Sequence, residues 1–387
     1  MIEIRTIDQL PLGGAKVFYR VDYNVPLDGT RITDATRIEE TLPTLRRLLD
    51  ANAAVVIASH LGRPKGERKS KYSLAPVREK LAELLGREVK WADDCVGPEA
   101  EQPLKPGEIL LLENLRFHAE EEKNDRAFAE QLRKLADVYV NDAFGACHRA
   151  HASIDALPRL FPTDHTAGGL LLARELEFLQ KVTHVTERPF VALLGGAKIA
   201  GKIEPLEALV KLADTVLIGG GMANTFLAAK GIPMGGSLVD KDSMEVATRM
   251  LQNSKIVLPV DLIVADDLDN PTKIETVTGD LRAEQKAFDI GPRTIELYAE
   301  KLRNAKVVFW NGPMGVFEKE AFAKGTMAMA HAVADADAIT VVGGGESVEA
   351  VKASGFASKI SHISTGGGAS LEFISGAALP GVEVLRK

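Results

Sequence analysis

Short apolar runs recur along the chain, each closing on a polar or glycine-rich patch, and most are followed by a stretch with helical spacing. In the first half they are AKVFYRVDYNV (15–25), AAVVIASHLGR (53–63), EILLLENLRF (108–117) and DVYVNDAFG (137–145). In the second half they are FVALLGGAK (190–198), TVLIGGGMANTF (215–226), KIVLPVDLIVAD (255–266), KVVFWNGPMGVF (306–317) and ITVVGGGES (339–347). Runs this short, rich in β-branched and large apolar residues, predict strands buried on both faces. Between them, Leu206, Leu209, Val210 and Leu212 form one helical stripe, and Leu81, Leu84 and Leu85 belong to another. Strand alternating with helix predicts parallel sheets covered on both sides, an α/β fold.

The strands of the two halves end differently. Those of the first half run into Asp22, Asn24, His60, Arg63, Asn114 and Arg116; several of the second half run into glycine clusters at 195–196, 219–221 and 343–345. Ligands of open α/β sheets sit beyond the carboxyl ends of the strands, so different end chemistry predicts two different ligands. The boundary falls near AGGLLLARELEFLQK (167–181), which reads as a helix starting just after Gly168–Gly169.

Composition narrows the classes. A length of 387 residues predicts about two domains, and 45% hydrophobic with 26% charged residues is globular. The 47 basic and 54 acidic side chains give a net charge of −7. That balance excludes a general nucleic-acid or membrane-surface binder. Residues 1–168 hold 24 basic and 27 acidic side chains, so any anion site must come from local clustering. Cys95 and Cys147 are the two cysteines, and their surroundings show no CxxC or zinc-type spacing. The opening MIEIRTIDQL has no basic segment followed by an apolar core, and no apolar run approaches the ~18 residues of a membrane span. A cytoplasmic location is expected.

In GGAKIAGK (195–202) a strand runs into two glycines and then into an expected helix bearing Lys198 and Lys202 on one face. Glycine lets backbone N–H groups approach a phosphate, and a helix N-terminus favours the anion. Gly196 to Lys202 is nearly a P-loop, but Ile203 stands where that motif needs Ser or Thr for Mg²⁺. No G-x-G-x-x-G with a following acid supports a dinucleotide site either. GGGES (343–347) sets Glu346 at a helix start, where it reads equally as an Mg²⁺ ligand or as an acid favoured by the helix dipole. STGGGAS (364–370) is a further glycine nest able to hold a phosphoryl group. In WNGPMGVFE (310–318), Glu318 is either a ribose partner or a solvated acid.

Arg37 lies near the start of a helical pattern, where a cation opposes the dipole. It reads as functional or as a surface ion pair with Asp34 or Glu40. SHLGRP (59–64), ENLRF (113–117) and DAFGACHRAHAS (142–153) bring His60, Arg63, Arg116, His148, Arg149 and His151 to strand ends, and RVDYNVP (20–26) brings Asp22 and Asn24. Arginine forks suit phosphate and carboxylate, so the set predicts a small, highly anionic ligand. No covalent nucleophile stands out. A substrate carboxylate that attacks by itself needs no general base.

Together these segments, with IGGGMANTF (218–226) and STGGGASLEF (364–373), resemble the phosphoglycerate kinase family in order from residue 20 to residue 373. The resemblance implies two Rossmann-like lobes joined by an inter-lobe helix and hinge: a phosphoglycerate-binding domain over 1–168, to which 371–387 return, and a nucleotide-binding domain over 169–370. It implies a monomeric glycolytic enzyme that moves the acyl phosphate of 1,3-bisphosphoglycerate to Mg-ADP after lobe closure, giving 3-phosphoglycerate and Mg-ATP. Asp22, Tyr23, Asn24, His60, Leu61, Gly62, Arg63, Arg116 and Arg149 would hold the phosphoglycerate, with Arg37 at its carboxyl end. Arg37, Lys198, Gly345 and Gly367 would act on the transferring group. Gly196, Lys202, Gly220, Asn311, Glu318, Gly344, Gly345, Glu346 and Ser347 would bind the nucleotide, with Glu346 toward Mg²⁺. Two departures stand out. Glu346 replaces the family's usual Asp, and Cys147 replaces a small residue near the substrate arginine, where steric tolerance is expected and a thiol would be open to oxidation.

Overall fold

The computed structural model describes residues 2–387. The chain forms two compact units, Met1–Glu177 with Ala378–Lys387, and Phe178–Ala377.

The first unit contains β1 (Lys16–Arg20), the ribbon β2 (Leu27–Asp28) and β3 (Arg31–Ile32), β4 (Ala54–Ala58), β5 (Lys90–Ala92), β6 (Ile109–Leu112), β7 (Val138–Asn141) and β8 (Thr166–Gly168). Its six-stranded sheet has the order β5-β6-β4-β1-β7-β8, with every pairing parallel. β4, β6 and β7 are buried along their whole length, as continuous apolar runs covered by helices on both faces require. Helices Leu42–Asp50 and Ala75–Leu85 add Leu45, Leu48, Val77 and Leu81 to the core. Each such side chain contributes about 1.5–3 kcal/mol.

The second unit contains β9 (Phe190–Leu194), β10 (Thr215–Ile218), β11 (Ile256–Val257), β12 (Leu262–Ala265), β13 (Ile274–Val277), β14 (Lys286–Ile290), β15 (Val307–Asn311), β16 (Ile339–Gly343) and β17 (His362–Ile363). A parallel sheet runs β11-β10-β9-β15-β16-β17, and a separate antiparallel sheet runs β13-β12-β14. The apolar run 255–266 is therefore not one strand. Pro259 lies between β11, at the edge of the large sheet, and β12, at the centre of the small one. A proline has no N–H for a sheet ladder, and the chain changes sheets around it.

The expected helix after Gly168–Gly169 is present as Leu170–Thr183. The units part inside it, at residue 177 instead of 168. Its start is tied to the first unit: Leu170 N donates to Thr44 Oγ1 at 2.9 Å and Leu172 N to Asp142 Oδ1 at 2.9 Å. The second crossing falls at 378, not 371, because helix Gly368–Ile374 packs on helix Ile203–Leu212. Residues 378–387 then join the first unit, where Arg5 N donates to Leu385 O and Gly381 N to Cys147 O, each at 3.0 Å.

Candidate active site

In the first unit, β6, β4, β1 and β7 are neighbours in one parallel sheet, so their carboxyl ends share one edge. Asp22 and Asn24 follow β1, His60 to Arg63 follow β4, Arg116 follows β6 and Arg149 follows β7. Arg37, on the short helix Thr36–Glu39, reaches Asp22 with Nη1–Oδ2 at 2.5 Å. Neither Asp34 nor Glu40 takes that place: Asp34 caps the Thr36 N–H at 2.8 Å instead. Asn24 Oδ1 accepts from the Gly62 N–H at 2.8 Å, and Arg116 Nη1 donates to Gly62 O at 2.9 Å. His60 Nε2 lies 3.8 Å from Asp22 Oδ1. Thus Asp22, Asn24, Arg37, His60, Gly62 and Arg116 form one connected cluster. Arg63 and Arg149 stand exposed, and Arg149 Nε contacts His148 Nε2 at 3.0 Å.

Tyr23 and Leu61 offer only backbone there. Tyr23 is fully buried, its hydroxyl 2.8 Å from Thr41 Oγ1, and Leu61 is 4% exposed. Cys147 is accommodated fully buried against Ala143 O, and burial pushes its thiol up to about 12, which works against oxidation.

Behind this cluster lies a network that the sequence reading missed. Arg20 is fully buried. Its Nε donates to Ser153 Oγ at 2.8 Å, and its Nη2 is 3.3 Å from His60 Nδ1 and 4.0 Å from Glu121 Oε1. Ser153 lies in a π-helical turn, Ala152–Ala156, and binds both Glu121 oxygens, by Oγ at 2.5 Å and by N at 2.9 Å. The arginine that opens RVDYNVP was the available signal.

Charge sets the protonation states. Burial works to raise the Asp22 carboxyl, but the guanidinium charges of Arg37 and Arg20 hold it well below the usual carboxylate range. Burial lowers His60 far below its ordinary value, and Arg116, Arg20 and Arg37 add to this against the pull of Asp22. Burial, with Arg116, Arg20 and Arg149, lowers His151 to about 3. Both imidazoles are neutral at pH 7, so the positive charge of the cluster belongs to arginine.

In the second unit the same edge is built from backbone. β10, β9, β15, β16 and β17 are consecutive neighbours, and glycine turns follow four of them directly. Gly196, Gly220, Glu318 and Glu346 line a cavity of about 710 Å³, together with Leu238, Met314, Val316 and Asp289. Its size suits a ligand of cofactor dimensions. Gly220 has φ +65°, and a Cβ there would meet Gly196 O at 2.8 Å and Gly196 N at 2.9 Å. Lys202 Nζ donates to Gly195 O at 3.0 Å and to Asn311 Oδ1 at 3.2 Å. Burial lowers the Lys202 ammonium, and the Glu346 carboxylate opposes this. The buried Asn311 Nδ2 has no hydrogen-bond partner.

Residues 195–202 are not the expected helix. Helix Ile203–Leu212 begins one residue later with Lys202 as its N-cap, so Lys198 and Lys202 do not share a helical face. Gly196 and Gly201 both have positive φ, at +113° and +79°, which breaks helical continuity. Lys198 is exposed on this loop. Gly344 caps helix Gly345–Ala353, so Gly345 and Glu346 occupy its first turn as expected, and Glu346 is exposed. Ser347 is fully buried, its Oγ accepting from Gly312 N at 2.6 Å, which leaves only its backbone for a ligand. Gly367 caps helix Gly368–Ile374 at the end of β17. The sequence reading missed Leu238, Met314, Val316 and Asp289 as cavity walls; the KAFDIGP segment, with Asp289 next to the last residue of its strand, carried part of that signal.

The family model for phosphoglycerate kinase matches residues 7–377. The chain belongs to the phosphoglycerate kinase family. It is 54% identical to a phosphoglycerate kinase of Moorella thermoacetica, with 98% of each chain covered, and 50% identical to one of Desulforudis audaxviator, with 99% of each covered. Among solved structures, the phosphoglycerate kinase of Coxiella burnetii superposes with a TM-score of 0.89 at 37% identity over 99% of each chain. That of Pyrococcus horikoshii gives 0.88 at 34% identity, over 99% of this chain and 98% of the other. Both six-stranded parallel sheets and their flanking helices are thus the family's two-lobe α/β fold.

Proposed function

We propose that the chain catalyses the family's reaction, the reversible transfer of the acyl phosphate of 1,3-bisphosphoglycerate to Mg-ADP, giving 3-phosphoglycerate and Mg-ATP. The observation that carries this reading is the cluster around Arg37. An acidic chain concentrates Arg37, Arg116 and Arg20 at one sheet edge, tied to Asp22 and to neutral His60. Guanidinium forks there suit phosphate and carboxylate, and Asp22 and Asn24 suit hydroxyl groups. Arg63 and Arg149, exposed beside them, extend the positive surface toward the phosphate end.

The cavity of the second unit takes the nucleotide in this reading. Leu238 and Val316 offer apolar surface to a base, Glu318 an acceptor to ribose hydroxyls, and the glycine turns their N–H groups to phosphates. Lys202 and Lys198 would neutralise phosphate charge, and the helix N-termini at Gly345 and Gly368 would offer N–H groups to the group in transfer. Glu346 is the carboxylate that would hold Mg²⁺. Among the described residues no cluster of three ligand-type side chains forms in this unit, which suits an ion held by one carboxylate and nucleotide phosphates. The ion, when bound, would neutralise charge on those phosphates.

The chemistry asks little of side-chain bases. The attacking carboxylate of 3-phosphoglycerate is already ionised, which agrees with a site whose histidines are neutral and whose charge is arginine. Catalysis rests on in-line positioning once both ligands are loaded and the lobes close, and on stabilising charge on the equatorial oxygens. We place the enzyme in the cytoplasm as a monomer; no helix among the described residues is long and apolar enough to cross a membrane. A coupled assay of ATP-dependent phosphorylation of 3-phosphoglycerate, with and without Mg²⁺, tests the reading. Mg²⁺-dependent turnover is expected; absence of turnover with Mg²⁺ present would refute it.

A further inference from the structure

We propose that Asp94, Cys95 and His118 form a binding site for a borderline divalent transition-metal ion of the zinc or cobalt class. The site lies in the first unit and shares no residue with the phosphotransfer site. Asp94 and Cys95 follow β5, and His118 follows the 3₁₀ turn Leu115–Phe117 after β6, the strand paired with β5. One ligand atom from each of the three lies within 4.8 Å of the others. A tetrahedral ion with bonds of about 2.0–2.3 Å sets its ligands about 3.5 Å apart. Closing the trio on an ion therefore requires shifts on the order of 1 Å, within the range of rotamer adjustment.

Three features favour an ion over a plain hydrogen-bonded turn. First, the donors are a thiol sulfur, an imidazole nitrogen and a carboxylate oxygen, a set that suits zinc-class ions and is poor for Mg²⁺ or Ca²⁺. Second, the imidazole is already oriented. His118 Nε2 is 2.6 Å from Asp94 Oδ1, and its ring stacks on Phe128 at a centroid distance of 5.2 Å. Third, Cys95 is the buried member at 1% exposure, while the side chains of Asp94 and His118 keep 44% and 28% of their surface. An ion would enter from the solvent side and settle on the sulfur, leaving a fourth position to water. Asp94 Oδ1 also accepts from the Cys95 N–H at 2.6 Å, an outer contact of the kind that holds a ligating carboxylate in place.

Binding is a substitution of protons by the ion, and nothing is oxidised. The Sγ–H bond breaks, an Sγ–metal bond forms, and the proton leaves to water. His118 binds through Nε2: the proton that Nε2 directs at Asp94 Oδ1 leaves to water as the Nε2–metal bond forms, and exchange with water leaves the ring's single proton on Nδ1. The thiolate and carboxylate together balance the 2+ charge. His118 is two residues beyond Arg116, so the ion would pin the turn that carries this arginine to the loop after β5.

The test uses the full chain, reduced with a non-thiol reductant, titrated with Co²⁺ in excess Mg²⁺ and followed by absorption. The expected result is a thiolate-to-cobalt charge-transfer band that saturates at one equivalent and that Zn²⁺ abolishes. Cys95→Ser should remove the band, His118→Gln should weaken Co²⁺ binding at least about tenfold, and Cys147→Ser should leave both unchanged. No band up to millimolar Co²⁺, or the same band in Cys95→Ser, overturns the site. Should Cys95→Ser fail to fold, His118→Gln decides alone, because its ring is partly exposed: unchanged Co²⁺ affinity overturns the proposal. Phosphotransfer activity is not the readout, so failure here leaves the kinase reading untouched.

Discussion

The first unit builds the strand-end edge of its sheet from charged side chains, and the second builds its own from backbone. At the edge of β6, β4, β1 and β7, Arg37 is held by Asp22 and Arg116 by its hydrogen bond to Gly62 O. At the edge of β10, β9, β15 and β16, glycines bring main chain so close to main chain that a single Cβ at Gly220 would lie 2.8 Å from Gly196 O. In the proposed function the difference follows from what each unit would bind. A three-carbon acid with charge at both ends is selected by oriented guanidinium groups. A nucleotide needs a long cavity and phosphate-facing N–H groups, which side chains would obstruct. The first unit should therefore be vulnerable to removal of charge, and the second to addition of atoms.

Glu121→Gln is expected to have the largest effect. It leaves Arg20 fully buried without its carboxylate, and breaking a buried pair costs about 3–5 kcal/mol. The 4.0 Å separation favours the lower end of that range. Urea unfolding measures it; a loss below about 0.5 kcal/mol would mean that Ser153 and His60 suffice as partners. Arg37→Ala comes next. It should lower kcat by about two orders of magnitude, consistent with lost transition-state stabilisation, while ADP affinity is unchanged. Near-normal kcat would remove Arg37 from the chemistry. Gly220→Ala is the counterpart in the second unit. Its neighbours are backbone atoms that cannot rotate away, and φ of +65° is strained for alanine, so about 1–3 kcal/mol of stability is expected to be lost. The KM for ADP should rise about tenfold with the KM for 3-phosphoglycerate unchanged; if both rise equally, the backbone-built nucleotide site is wrong.

The sequence exposed the strand ends well because short apolar runs bounded by Gly, Asp or Arg are local signals. Asp22, His60, Arg116, Gly220 and Asn311 were all legible at the ends of strands. What stayed hidden depends on distant parts of the chain. Glu121 lies about one hundred residues from Arg20 and looks like one acid in a run of charged residues, yet it is fully buried. Arg37 showed two acidic neighbours at helical spacing, and the structure pairs it with Asp22 instead because the helix there is only Thr36–Glu39. The run at 255–266 looked like one strand because periodicity does not say which sheet a strand joins. The lysines at 198 and 202 looked helical because spacing alone does not register the positive φ of Gly196 and Gly201.

The smallest effect sharpens the comparison through pH. Asp22 in the first unit is depressed, so its stabilisation is present above its unfolded value near ~4 and lost as pH falls below it. Asp289, in the cavity wall of the second unit, is opposite. Burial raises it to about 7 even though Ile290 N and Gly325 N donate to it at 2.9 and 2.7 Å. Between ~4 and ~7 the folded chain holds a proton there that the unfolded chain has released, so stability falls as pH rises across that window. Asp142 in the first unit, raised by burial to about 6, acts in the same direction, so the wild-type curve alone does not isolate Asp289. Asp289→Asn does. Asparagine keeps one acceptor and turns an NH₂ toward the second N–H, a fixed cost of about 1–3 kcal/mol. The variant lacks the titration, whereas Asp142 titrates in both proteins and cancels. The cost of Asp289→Asn should thus be largest near pH 5 and shrink by about 2 kcal/mol by pH 8. Denaturant unfolding of both proteins at the two pH values measures this. A cost that stays constant would mean that Asp289 is ionised throughout, and that the cavity wall of the second unit carries a fixed negative charge where the proposed function places a nucleotide.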